Sequence, residues 1–279
     1  MSRSLAVVTG ASSGIGAEFA EQLAARGYDL LLVARREERL DSLGRLLSER
    51  YSIRSESYVA DLADHDHVTQ LTNRLRAEPQ LGFLVNNAGF GTQGLFWEVS
   101  LESQEAMHQV HVMATMRLSH AALEVMVPRG EGAIVNVSSV ASFTLSAGGC
   151  SYCATKTWMT NFSEGLAVDL RRAGSAVQVQ ALCPGFTLTE FHDVMGVNRG
   201  RIPTGLWMKP EQIVDASFRG FAEGKVIVVP GLPYKFIRFL VWALPPGVRR
   251  WAALRSGRAM GRDRRLGEGP RAIDQSLKG

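Results

Sequence analysis

Tyr152 and Lys156, in Ser151-Tyr152-Cys153-Ala154-Thr155-Lys156, have the types and spacing for proton transfer. On a helix, positions i and i+4 share a face, one turn apart. A phenol titrates at about 10 on its own, a poor acid near neutrality. An ammonium beside it favours the phenolate and lowers that value, so the pair is a candidate general acid/base. Tyr-x-x-x-Lys also decorates many solvated helix faces. The pair carries chemistry only if other segments bring a substrate and a redox partner to it.

The N-terminus offers such a segment. Leu5 to Thr9 is a short apolar run rich in β-formers, followed by Gly10-Ala11-Ser12-Ser13-Gly14-Ile15-Gly16 and a helical pattern through Phe19, Leu23 and Ala24. Strand, glycine loop and helix is the arrangement in which backbone amides and a helix N-terminus receive a pyrophosphate. Gly10 is expected to permit the sharp turn, Gly14 the approach of phosphates, and Gly16 close helix–sheet packing. The second strand, Asp29 to Ala34, runs into Arg35 and Arg36. An acid there suits a free ribose 2′-hydroxyl, whereas arginine suits a 2′-phosphate, so the pair argues for NADP(H) over NAD. The plainer reading is a solvated basic pair opening a helix, with Glu37 and Glu38 as partners.

Further strands are expected at Arg54–Ala60, Phe83–Val85, Ala133–Val137, Ala176–Leu182 and Lys225–Val229. They alternate with helices over 37–50, 64–77, 101–127 (broken at most once), Tyr152 to Arg172 and 209–222. His65 and His67 read as surface residues. The pattern predicts an α/β fold, a doubly wound parallel sheet of about seven strands in a single domain over residues 1–230. Gly10–Gly16, Arg35, Asp61, Asn86, Ser139 and Pro184-Gly185 all follow strand C-termini, where ligands bind in this architecture.

Composition sets the outer bounds. The 279 residues are 46% hydrophobic and 21% charged, enough apolar material for one large core. Three cysteines suit a reducing, cytoplasmic setting rather than a disulfide scaffold, and Cys150-x-x-Cys153 is expected to hold no metal. No secretory signal is read before the first strand, and no apolar run reaches the roughly 20 residues of a spanning helix. Residues 231–279 hold 11 Lys/Arg and 3 Asp/Glu, a net +8, leaving 20 against 24 and a net −4 in residues 1–230. This C-terminal helical extension alternates apolar and basic residues around Trp251. Three uses stay open for it: peripheral contact with a membrane surface, a cover over the substrate mouth, or an oligomer interface. Nucleic acid is not expected as a partner, because no reader motif accompanies the charge.

Together these residues resemble the short-chain dehydrogenase/reductase family, over residues 5 to about 230. The resemblance implies a Rossmann-like fold, a homo-oligomer and a small-molecule substrate. It implies catalysis by Ser139, Tyr152 and Lys156, with Ser139 rather than Ser138 because it lies 13 residues before Tyr152. The cofactor would be held by Gly10, Ser12, Ser13, Gly14, Ile15 and Gly16, by Arg35 and Arg36, by Asp61 and Leu62, and by Asn87, Ala88 and Gly89. Tyr152 and Lys156 would join them, with Pro184, Gly185, Thr187 and Thr189 closing the list. Where the family has a catalytic Asn that helps hold a water leading from the lysine to solvent, this chain has His111. Either the imidazole takes over that relay, or it is a packed polar residue near the cofactor. Apolar residues of the loop Thr187–Met208 (Phe191, Met195, Ile202, Leu206, Trp207 and Met208), facing Ser142, Phe143 and Leu145, are expected to wall a pocket. That favours a lipophilic ketone, steroid-like or 3-oxoacyl, over a sugar. The rival reading is a non-catalytic NADP-binding scaffold that retains the fold.

Overall fold

Six β-rich segments and a two-residue seventh pair side by side into one parallel sheet. They are β1 (Leu5–Thr9), β2 (Asp29–Ala34), β3 (Ser55–Val59), β4 (Leu81–Asn86), β5 (Ala133–Val137), β6 (Gln178–Leu182) and β7 (Ile227–Val228). Their order is β3-β2-β1-β4-β5-β6-β7. The computed structural model describes residues 3–92, 94–190 and 202–259, with side chains to Arg255. Phe191 and Met195, expected in the pocket wall, lie outside the described residues.

Parallel strands covered on both faces need apolar side chains on both faces. In β2, Leu30 and Leu32 point into one core with Phe19, Leu23, Ile213 and Val214, while Leu31 and Val33 point into the other with Leu71, Leu118 and Met126. The first core is roofed by α1 (Gly14–Ala25) and α2 (Glu37–Tyr51). The second is roofed by α3 (His65–Arg76) and the long helical stretch of α4 (Leu101–His108) and α5 (Thr115–Arg129). Helix α6 (Cys150–Arg172) carries Tyr152 and Lys156; α7 (Pro210–Ala222) leads into β7. The chain runs outward from β1 to β3 and then restarts at β4 on β1's other side. That reversal leaves a crevice beyond the C-terminal ends of β1 and β4.

Two local features depart from simple expectation. The break between α4 and α5 is a π-helical turn, Gln109–Ala114, and His111 sits inside it. A π turn admits one extra residue and re-aims the side chains around it. The strand expected over 225–229 shortens to Ile227–Val228, because it is an edge strand with a partner on one side only. Beyond it come α8 (Leu232–Ala243) and α9 (Pro246–Ala259).

Candidate active site

Helices α3 and α4 are capped by their own side chains, whereas α1, like α6 and α8, is not. The Asp64 side chain accepts from the amides of Asp66 and His67 at the start of α3, and Ser100 accepts from Ser103 at the start of α4. At α1 the N-cap Ser13 makes no such bond, and the first turn has no acidic residue. Its amide dipoles are left for an anion. The loop before it is built around glycine. Gly10 and Gly14 have φ of +66° and +57°, values that L side chains resist. A Cβ on Gly16 would lie 2.2 Å from the Gly10 carbonyl oxygen. Its Cβ would also lie 2.5 Å from Asn87 Nδ2, so Gly16 lets the start of α1 approach the ends of β1 and β4 closely. A Cβ on Gly14 would meet Thr189 Cγ2 at 2.7 Å, so the segment after Pro184-Gly185 folds down onto the glycine loop.

The loop is fastened to β4. Thr9 Oγ1 accepts from the amides of Asn87 and Ala88, and Asn87 Nδ2 donates to the carbonyls of Thr9 (2.9 Å) and Gly10 (3.2 Å). Asn86 is buried and donates to Asn136 Oδ1 at 2.8 Å, tying β4 to β5.

The two arginines after β2 diverge. Arg36 lies over the glycine loop, its Nη2 donating to Ser12 Oγ (3.0 Å) and Ser13 Oγ (3.2 Å). Arg35 points away, its side chain 74% exposed and 3.8 Å from Asp61 Oδ2. Sequence alone did not separate them, and it missed two neighbours. Glu190, one residue past Thr189, bridges Arg36 (2.9 Å) and Arg39 (2.7 Å). Those bonds hold its carboxyl below the usual range. His67, expected on the surface, is half-buried and its Nδ1 accepts the Asp61 amide at 3.4 Å. Leu62 is buried beneath.

At the other end of the crevice, β5 runs into Ser138 and Ser139. Ser138 is buried, donating to the Lys156 carbonyl at 2.7 Å, and serves to fix α6 to the sheet. Ser139 is half-buried and caps the 3-10 turn Val140–Phe143, its Oγ accepting from the Ala141 amide at 3.1 Å. Lys156 is 4% exposed, and its Nζ donates to the Val137 carbonyl at 2.8 Å and lies 3.4 Å from Met159 Sδ. Burial pushes its pKa from 10.5 down to about 7, with Cys183 acting weakly the other way. Nζ lies 5.9 Å from the centre of the Tyr152 ring.

His111 completes this end. It is fully buried, edge-on to the Tyr152 ring with centroids 5.9 Å apart. Its Nε2 accepts the Phe90 amide at 3.2 Å, which puts the ring proton on Nδ1, 2.9 Å from Thr155 Oγ1. Thr155 Oγ1 in turn donates to the Tyr152 carbonyl at 2.9 Å. Burial, and next the Lys156 charge, hold His111 well below 6.5, so the ring is neutral. Of the two readings open in the sequence, this geometry favours the packed polar residue: both nitrogens are engaged by protein. Gly89 leaves room for it, since a Cβ there would lie 2.5 Å from His111 Nε2.

Pro184-Gly185 and Thr187 border the crevice from β6. The Gly185 Cα faces the ring of Tyr234, and Tyr234 Oη accepts from Phe186 N at 2.9 Å. Phe186 packs on Trp207 at 5.5 Å between ring centres, and Ile202 is buried. Of the residues expected opposite, Ser142 is buried and Leu145 is 55% exposed. Two open clefts of about 670 and 540 Å³ flank the Leu188–Glu190 segment. Neither is lined by Ser139 or Tyr152, so what marks the site is the convergence of strand ends.

The sequence and the fold both have known relatives. Residues 4–198 match the sequence pattern of the family described as short chain dehydrogenase. Gluconate 5-dehydrogenase of Gluconobacter oxydans is 31% identical over 83% of this chain and 94% of its own. Among solved structures, a short-chain dehydrogenase from Sphingobium yanoikuyae in complex with NADPH is 34% identical. It superposes with a TM-score of 0.77 over 96% of this chain and 98% of its own. A bulky-bulky ketone specific alcohol dehydrogenase from Comamonas testosteroni is 30% identical, with a TM-score of 0.74 over 97% and 98%.

Proposed function

The chain belongs to the short-chain dehydrogenase/reductase family, oxidoreductases acting on CH–OH and keto groups, and we propose that it interconverts a lipophilic secondary alcohol and ketone with NADP(H). What supports this reading is that β5 ends at Ser139, beside the helix that carries Tyr152 and Lys156, on the same C-terminal edge of the sheet as the uncapped start of α1. The residues present fit the cofactor: donors for a pyrophosphate at Gly14–Gly16, and an arginine fork over Ser12 and Ser13 for a 2′-phosphate. When bound, the nicotinamide supplies or accepts the hydride.

The rest is the work of this chain's own side chains. Ser139 Oγ donates to the substrate oxygen and orients it. Tyr152 gives its phenolic proton to that oxygen in reduction and takes it back in oxidation. Lys156 has three N–H donors, of which the Val137 carbonyl and Met159 Sδ take two, leaving one for the ribose hydroxyls. Its charge steadies the Tyr152 phenolate. His111 acts one step behind, fixing Thr155 and through it the first turn of α6. Phe186, Trp207 and the Val140–Phe143 turn supply apolar walls, which support a lipophilic substrate; the solved relative specific for bulky ketones points the same way.

The test is NADPH oxidation against a panel of bulky aryl ketones, steroid-like ketones and 3-oxoacyl thioesters. Tyr152→Phe is expected to bind NADPH normally and lose about 10²–10⁴-fold in turnover. Near-full turnover in that variant would overturn the assignment of the acid. Sugars outperforming every lipophilic ketone would overturn the substrate class.

A further inference from the structure

The last two helices present a surface that the redox chemistry does not use. Across α8 and α9, Leu232 (78%), Phe236 (62%), Phe239 (62%), Trp242 (81%), Trp251 (55%) and Leu254 (68%) are exposed. Tyr234 is the one fully buried side chain of α8. Single exposed apolar residues need no explanation, but Leu232, Phe236, Phe239 and Trp242 recur at helical spacing along α8 with Phe239 and Trp242 in ring contact, a surface made to be covered.

Charge identifies the cover. Between residues 231 and 259 the sequence has six Lys/Arg and not one Asp/Glu. Two copies pairing through this face by a two-fold axis would set cation against cation, with no acid on α8 or α9 to answer it. An anionic sheet with an apolar interior answers both halves of the pattern. Aromatic and aliphatic side chains enter the acyl boundary, tryptophans rest at headgroup level, and the exposed Lys235, Arg250 and Arg255 meet phosphate. The 12-residue α8 is about 18 Å long, enough to lie in that interface and too short to cross a hydrocarbon core of about 30 Å. Among the described residues no helix is long and apolar enough to cross a membrane.

The face also adjoins the site. Tyr234 Oη takes the Phe186 amide at 2.9 Å, and the Arg238 guanidinium stacks on Phe143 at 5.0 Å, on the turn that begins at Ser139. We infer that α8 and α9 dock the enzyme on a bilayer rich in anionic phospholipid, with the entrance to the Tyr152 crevice at the lipid boundary. The docking itself goes beyond the oxidoreductase reading, while the delivery of substrate from the bilayer rests on it. Lipophilic substrate then reaches the site from the bilayer rather than through water.

The experiment is flotation of the full-length protein with phosphatidylcholine vesicles, with and without phosphatidylserine, at low and high salt. Each Lys/Arg near an anionic surface contributes about 1 kcal/mol, so at least a tenfold preference for the phosphatidylserine vesicles is expected, shrinking with salt. Phe239→Glu with Trp242→Glu is expected to abolish flotation while unfolding at the wild-type temperature, since both side chains are exposed. Lys235→Glu with Arg250→Glu is expected to remove the preference for phosphatidylserine. Wild type remaining unbound to both vesicles overturns the proposal. So does sedimentation showing that Phe239→Glu/Trp242→Glu converts a dimer to a monomer without altering flotation, which would assign the face to a second copy.

Discussion

Removing the Arg36 guanidinium should separate the two nicotinamide cofactors. Arg36 spends Nη2 on Ser12 and Ser13 and Nη1 on Glu190, so its fork is already aimed at the spot beside the glycine loop. A charge-assisted hydrogen bond contributes about 1.5–3 kcal/mol. The side chain is 44% exposed, so screening trims this, and a 2′-phosphate must also displace or neighbour the Glu190 carboxylate. The low end of the range, about 1.5–2 kcal/mol, corresponds to 10–30-fold in Kd. Arg36→Ala is therefore expected to weaken NADPH by about that factor and NADH by less than about twofold. Glu190→Gln should act in the opposite direction, tightening NADPH several-fold, because a carboxylate repels a phosphate dianion whether displaced or retained. The assay is titration of reduced-nucleotide fluorescence at low and moderate salt. Equal weakening of NADPH and NADH by Arg36→Ala would refute the reasoning and reduce Arg36 to a brace of the loop. Selectivity lost in Arg35→Ala instead would move the phosphate to the other arginine.

Other outcomes follow from the buried groups. His111→Ala strands the Phe90 amide and the Thr155 hydroxyl and opens a cavity, and is expected to cost about 3–5 kcal/mol in urea unfolding. His111→Asn keeps a donor and an acceptor and should cost much less. Because folded His111 resists protonation while the unfolded chain takes a proton near 6.5, stability falls as pH drops below that value, by up to about 1.4 kcal/mol per unit. His111→Asn should show a correspondingly shallower acid limb, and an identical limb would count against the neutral ring. Lys156 titrates at about 7 when folded and 10.5 when unfolded. The unfolded chain thus binds more protons between those values, and stability rises with pH across that window. Without cofactor, wild type should gain about 2 kcal/mol more than Lys156→Met from pH 7 to 9. Gly89→Ala drives a methyl into His111 Nε2 and should cost about 1–3 kcal/mol, partly relieved in combination with His111→Asn.

What could be read from the sequence was what is local or repeated. The Leu/Val runs announced the strands, Asp64 announced α3, and the glycine spacing announced the loop, because each depends on neighbours within a few residues. The strand ends then gathered the site residues, since a parallel sheet places every strand's C-terminal end on one edge. Contacts between distant segments were not legible. Nothing in Arg35-Arg36 says which turns toward Ser12, because that depends on Glu190, more than 150 residues away. His111 was visible as a departure, but its tautomer is set by Phe90 and Thr155. The shortness of β7 reflects its place at the sheet edge rather than its residues. The tail's pattern was plain from sequence, whereas the degree of exposure of Trp242 needed coordinates.

Tyr234 is a peg, and Gly185 is its socket. A Cβ at position 185 would stand 2.0 Å from the phenol ring, and Tyr234 is the only α8 side chain sunk completely into the protein. The first terminal helix is thus pinned to the sheet edge by Tyr234 on Gly185, with Arg238 on Phe143 as a second tie. Its outer surface is free to drift toward new tasks without touching the proton chemistry. A side chain at position 185 would have to displace the Tyr234 ring, so this glycine couples the strand end beside the crevice to the placement of the terminal helices.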